Sequence, residues 1–191
     1  MNAPALAQAA RPTARTLAWR PLVALATLLT LVLAVARGSG QSVDALLAVA
    51  AAALAGLVVA AMRDPAATLL ATVPVSVMQR RVLRLALVGL PVLALWWAMT
   101  QVAGPTAAPS TAAPHGAGPL VALAASGVAV SVWWPSHRGV LVGGCVPMAW
   151  YALDRFVPWS GVAEDVAGWW RTESWAVAAV AVLVLVAGRR R

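Results

Sequence analysis

The sequence predicts an all-α, polytopic membrane protein with six transmembrane helices and both termini in the cytoplasm. Three observations carry this: the composition, the spacing of the charges and the distribution of arginine. Hydrophobic residues make up 62% of the 191 and charged residues 10%, and the mean hydropathy is +0.83. A soluble domain carries about 25% charged residues, so a globule of this composition could not coat itself with polar surface. There are 45 alanines, 14 arginines and no lysine; the net charge of +8 is therefore 14 Arg less 6 Asp and Glu.

Charges act as fence posts along the chain. Residues 1–20 form a basic N-terminal segment. Pro12 in it can open a short interfacial elbow helix, with Arg15 and Arg20 toward water and Leu17, Ala18 and Trp19 toward lipid; the alternative is a disordered basic leader. The first span, 21–36, lies between Arg20 and Arg37, and the alanine-rich second, 45–62, ends at Arg63. Between Arg84 and Arg138 the uncharged run is too long for one crossing, and GPTAAPSTAAPHGAGP (104–119) divides it. Proline removes helix donors and clashes with the preceding turn, so the third span is 85–103 and the fourth 120–134. The fifth, 139–153, contains Gly143, Gly144 and Pro147, which allow a kink or a re-entrant course; the sixth is 175–188, followed by the basic tail 189–191. Together 21–188 form a single transmembrane domain. Several of these stretches are shorter than the ~20 residues that cross a bilayer. Flanking Trp and Arg extend them by snorkelling, or the bilayer thins.

Arginine tests this layout separately, because cytoplasmic loops carry an excess of basic residues. With both termini inside, Arg11, Arg15, Arg20, Arg63, Arg80, Arg81, Arg84, Arg138 and Arg189–Arg191 are cytoplasmic, and Arg37, Arg155 and Arg171 are outside. Asp64 is then the one internal acid, while Asp44, Asp154, Glu164, Asp165 and Glu173 are external. The sequence Ala34-Val35-Ala36 also reads as a signal-peptidase site. An alanine-rich helix generates that pattern by accident, and the expectation is a retained span.

The residues that are missing exclude several activities. A Walker A loop needs its lysine, so the chain holds no P-loop ATPase of its own. A single cysteine, Cys145, allows no internal disulfide, multi-cysteine zinc site or CxxC pair. His115 and His137 stand in no metal-binding frame, and on this topology they fall on opposite sides of the membrane. Ser126 therefore has no base within reach and reads as a small packing residue. All charges lie at or beyond span ends, with Asp154 and Arg155 nearest the interior, so ion-coupled transport lacks its usual intramembrane group. The expectation is no enzymatic activity, no cofactor and no metal. Topology accounts for the arginines, leaving no reason to invoke nucleic acid, and membrane lipid is the expected surrounding.

Three segments carry more information. Gly139 and Gly143 form a GxxxG frame, extended by Gly144 and Cys145, and AVAAAALAG (48–56) offers a second smooth face; both favour close helix packing. Outside, in FVPWSGVAEDVAGWWR (156–171), Trp159, Val162, Val166, Trp169 and Trp170 can share one face, with Glu164 and Asp165 opposite. That is an amphipathic hairpin dipping into the outer interface. In the cytoplasmic connection, Asp64 caps a helix with Pro65 at its first position, and Pro74 stops it. A second helix begins near Ser76. The short stub exposes Leu69, Leu70 and Val73, which need a cover: lipid, the bundle or a partner protein.

An interfacial elbow, two spans, a cytoplasmic connection, three spans, an external amphipathic hairpin and a last span form a layout that resembles the permease subunits of type-2 ABC transporters. LLATVPVS (Leu69–Ser76) followed by QRRVLRL is similar to that family's "LP-S" loop and the basic residues after it. The chain is shorter than is usual there, and its lysine-free, alanine-rich composition resembles that of actinobacterial proteins. The resemblance implies a subunit of the bacterial cytoplasmic (inner) membrane paired with a second membrane subunit and a separate ATPase. Asp64, Pro65, Leu69, Leu70, Val73, Pro74, Arg80 and Arg81 would lie in the segment, 64–84, that couples to that ATPase. The alternative is a non-transporting accessory or scaffold subunit, motivated by the absence of any polar pathway residue within the spans.

Overall fold

Each of the six apolar stretches is helical in the computed structural model, which describes residues 19–63, 77–104, 116–134 and 138–188. In chain order the helices are α1 (Trp19–Gly38), α2 (Asp44–Ala60), α3 (Val77–Ala103), α4 (Gly118–Trp133), α5 (Gly139–Phe156), α6 (Val162–Thr172) and α7 (Ser174–Gly188). No strand occurs among the described residues. The elbow before Trp19, residues Asp64–Pro74, His115, His137 and the basic tail lie outside them.

Length and apolarity vary along the chain. α1 and the Val82–Ala103 part of α3 are long and apolar enough to cross a membrane. α6 and α7 meet that measure only when joined, and they are bent by 100° at Glu173. α2 and α4 are apolar but have only 17 and 16 residues, about 25 Å of helix. α5 has 18 residues and continues through Gly143, Gly144 and Pro147 without a break, but Asp154 and Arg155 fall inside its last turns. α3 starts at Val77, so the arginines precede its apolar part on the same helix.

Why α2 sits in the middle follows from its sequence. Its residues are apolar all round, and a helix with no polar face is stable only when it is covered on every side. Leu47, Ala50, Ala51, Ala52, Leu54, Ala55, Val58 and Val59 are all buried. α1, α3, α4 and α5 all pack on it. α7 lies against α4, where Ala122, Val177 and Ala178 form a small core of their own. α1 is peripheral. It buries Leu33 and Ala36 and turns Leu28, Leu31 and Val35 outward, each more than half exposed.

Contacts at the helix ends sort the bundle into two poles. At the first, Arg37 at the end of α1 donates to the Val102 carbonyl at the end of α3, 2.5 Å away. Gly104, with φ +73°, lets that guanidinium pass where a Cβ would stand. The start of α4 meets the start of α7 there, Gly118 against the Ser174 hydroxyl. At the second pole, Arg84 donates to the Arg63 carbonyl at 2.7 Å, and the Trp133 indole donates to the Val184 carbonyl at 2.8 Å. Successive long helices therefore run antiparallel. Asp44, Asp154, Glu164, Asp165 and Glu173 all fall at the first pole, whereas Arg20, Arg63, Arg84 and Arg138 fall at the second.

Candidate functional site

Three constructions could carry function: a glycine seam, an aromatic cap and the pole from which the α2–α3 connection leaves. The seam comes first because it sets the distances between helices. Gly127 on α4 and Gly143 on α5 face each other, and a Cβ on Gly127 would stand 2.6 Å from the Gly143 carbonyl oxygen and 2.7 Å from Val59 Cγ2. The relation is reciprocal, since a Cβ on Gly143 would overlap the Gly127 carbonyl. A Cβ on Gly139 would meet the Ser131 carbonyl at 2.6 Å, and one on Gly56 of α2 would meet the Gly144 carbonyl at 2.9 Å. Backbones approach this closely only where neither helix carries a side chain.

Pro147 adds a reason for the register. It has no N–H, so the carbonyl four residues back, that of Gly143, lacks its helical donor. That oxygen is the atom that a Cβ on Gly127 would meet. Gly139 and Gly143 thus lie on the buried face of α5 together with Pro147. Gly127 and Gly56, the partners, are drawn from stretches crowded with other small residues.

The cap is built on α6, the most amphipathic helix of the seven. It buries Ala167 and carries Glu164 and Asp165 in its first turn. Trp159 and Trp170 both pack on Trp150 of α5, with ring centroids 6.0 and 4.4 Å from it. Arg171 donates from Nε and Nη2 to Asp154 at 2.9 and 2.6 Å, tying the end of α6 to α5. Of the five apolar residues expected on one face, Val166, Trp169 and Trp170 line one groove beside α4 and α7, Trp159 joins Trp170 on Trp150, and Val162 stays exposed. Arg171 was the missed residue. Asp154 is 17 positions away on another helix, and no spacing rule connects them.

At the opposite pole the connection between α2 and α3 leaves from Arg63 and returns at Val77. Its two roots are held together by the Arg84–Arg63 bond, and Arg84 is 4% exposed. Asp64, Pro65, Leu69, Leu70, Val73 and Pro74 lie outside the described residues. Arg80 and Arg81 belong to the first turns of α3.

The chemistry on offer is sparse. The Ser126 hydroxyl donates to the Ala122 carbonyl at 2.8 Å, four residues back in its own helix. Among the described residues no three His, Cys, Asp or Glu side chains come together as a metal site. The one cysteine, Cys145, is exposed. Between α3, α4 and α7 lies a groove of about 240 Å³ with an apolar lining. Comparison with protein-family models, with curated proteins and with solved structures finds no match in any of the three.

Proposed function

We propose that the chain is a permease-like subunit of an ATP-driven, ABC-type transporter in a bacterial cytoplasmic membrane. α1–α5 and α7 would cross the bilayer, both termini would be cytoplasmic, and α6 would lie in the outer interface. The observation that carries this reading is the division of charge between the poles. Acids gather at the pole of α6, while among the described residues the other pole holds arginine and no acid, as the positive-inside rule requires of a cytoplasmic face. The α2–α3 connection leaves from that arginine pole, on the side where an ATPase would stand. Closure of two ATPase copies around ATP would press on 64–84 and, through the Arg84–Arg63 tie, tilt α2 and α3 together. The apolar interior supports a pathway formed with a second membrane subunit rather than within one chain.

Affinity purification from the native host, with cross-linking from a cysteine placed at Leu70 in a Cys145→Ser background, tests this. A separate ATPase should be recovered on the cross-link, and the chain alone should hydrolyse no ATP. Absence of any ATPase from the complex sinks the transporter reading. A second reading, an accessory or scaffold subunit, draws support from the groove, whose lining offers a passing solute no polar group. Recovery of a larger membrane complex without an ATPase would favour it.

A further inference from the structure

The bundle is not equally tall on its two sides. The groove is lined by Leu85 to Leu93 of α3 and by Leu120 to Val128 of the antiparallel α4, which sets Leu93 near the height of Leu120. Toward the first pole α3 continues from Leu93 to Ala103, about 15 Å, and α4 only from Leu120 to Gly118, about 3 Å. A hydrogen bond gives the same offset. Trp96 is buried, and its indole donates to the Gly116 carbonyl at 3.1 Å, just before α4 begins; from Trp96 to Ala103 α3 rises about 10 Å more. α1 reaches the higher level with α3, since Arg37 donates to Val102. α7 starts at the lower one, where Gly118 faces the Ser174 hydroxyl. Helix lengths agree: α1 and the apolar part of α3 have 20 and 22 residues, α4 and α7 have 16 and 15.

Trp97 and Trp175 flank the lower level, 67% and 62% exposed, and tryptophan collects at membrane–water boundaries. α6 joins α7 at this height through the 100° bend, with Glu164 and Asp165 in its first turn and Val162 and Val166 exposed. Below it α7 turns Val180, Leu183 and Val186 outward, a surface that suits hydrocarbon. α1 presents such a surface higher up: Val35, two residues before Arg37, is 64% exposed. A helix longer than the bilayer can tilt to fit, but a short one gains no reach by tilting. Lipid that covers both sides must therefore lose thickness between them. We propose that the α4–α6–α7 side of the bundle thins the bilayer beside it, with the step of about 10 Å as the upper bound. On the topology proposed above, on which this assignment of side rests, the loss falls in the outer leaflet.

Val35→Cys and Trp175→Cys, each in a Cys145→Ser background, supply the test. A membrane-impermeant maleimide attacks the thiolate, which forms in water and not in hydrocarbon. In a flat bilayer set by α1, position 175 lies deeper than position 35 and reacts more slowly. Thinning reverses the order, and position 175 should react severalfold faster in bacterial spheroplasts. Equal rates, or a faster reaction at position 35, overturn the proposal. Topology is judged separately: reaction only after permeabilisation places the first pole in the cytoplasm and refutes the outer-leaflet assignment, while the order of the two rates still decides thinning. A second measurement needs no substitution at Trp175. The unaltered chain is reconstituted in dimyristoleoyl, dioleoyl or dierucoyl phosphatidylcholine, bilayers of rising thickness, and its melting temperature is recorded. The temperature should be highest in the dimyristoleoyl bilayer and fall with thickness, because α1 and α3 can tilt and α4 and α7 cannot lengthen. A maximum in dioleoyl or dierucoyl lipid overturns the proposal as well.

Discussion

α4 has two faces that solve opposite problems. On one, Gly127 brings its backbone against α5 closely enough that no Cβ fits between them. On the other, Ala124 and Val128 look across an open groove to α3. Both faces are small and apolar, so hydrophobicity cannot explain the difference. Between helices in lipid there is little hydrophobic drive to associate, and close packing has to supply the attraction. The Gly127 face can form such contacts along its length because Gly143 opposite it is equally bare. α3 presents Leu85, Leu93 and Val92 around Gly89, a surface too uneven to close on α4.

The contrast can be broken most severely at its closed side. Gly127→Val should destabilise the bundle by about 3 kcal/mol or more, at the upper range of overpacking, because neither the Gly143 carbonyl nor Val59 is free to retreat. Loss of a monodisperse peak on size exclusion, or a steep fall in melting temperature, reads this. A Gly127→Val protein that melts like the wild type would show that the seam is looser than described.

Neighbouring glycines sharpen the comparison. Gly143→Ala meets the Gly127 carbonyl and should cost about 1–3 kcal/mol. At Gly144 a Cβ would stand 3.7 Å from the Gly56 carbonyl, in ordinary contact. Gly144→Ala should therefore be neutral or stabilise by up to about 1 kcal/mol through helix propensity. Opposite signs at adjacent positions in one melting series would establish that backbone clearance, and not glycine content, governs the seam. On the open face, Gly89→Ala should stabilise by about 0.5–1 kcal/mol, with no other change in the melt. The smallest effect is expected at the second pole, where α4 ends beside α7. Trp133→Phe removes the hydrogen bond to Val184 and should cost about 1 kcal/mol or less, seen as faster amide exchange in the last turn of α7.

The helices were legible because charge and proline punctuate them. Arg20, Arg37, Arg63 and Arg138 stand within a few residues of helix ends, since a charge is costly anywhere but at the rim of an apolar layer. The Gly139–Gly143 frame was legible as a small face, but its partners were not. A helix such as α2, dense with alanine, offers several smooth stripes, and periodicity gives no reason to select the one holding Gly56. The ion pair of Arg171 with Asp154 was illegible for another reason. It depends on how α6 folds back across α5, a tertiary relation set by Trp150, Trp159 and Trp170 together. The groove was hidden as well, because it is an absence of contact between α3 and its neighbours, and no residue type announces a gap.

The proline and paired glycines of α5 also bear on biosynthesis. This helix has the length of a membrane span, but its composition makes it a poor candidate for partitioning into lipid on its own. Its binding surface is supplied by α2 and α4, both of which leave the ribosome earlier. On the proposed six-span topology, chain order would deliver the receptor before the guest, and moving the α5 segment ahead of α2 should strand it outside the bilayer. A helix stable only once docked would then make insertion and assembly a single event for this part of the chain.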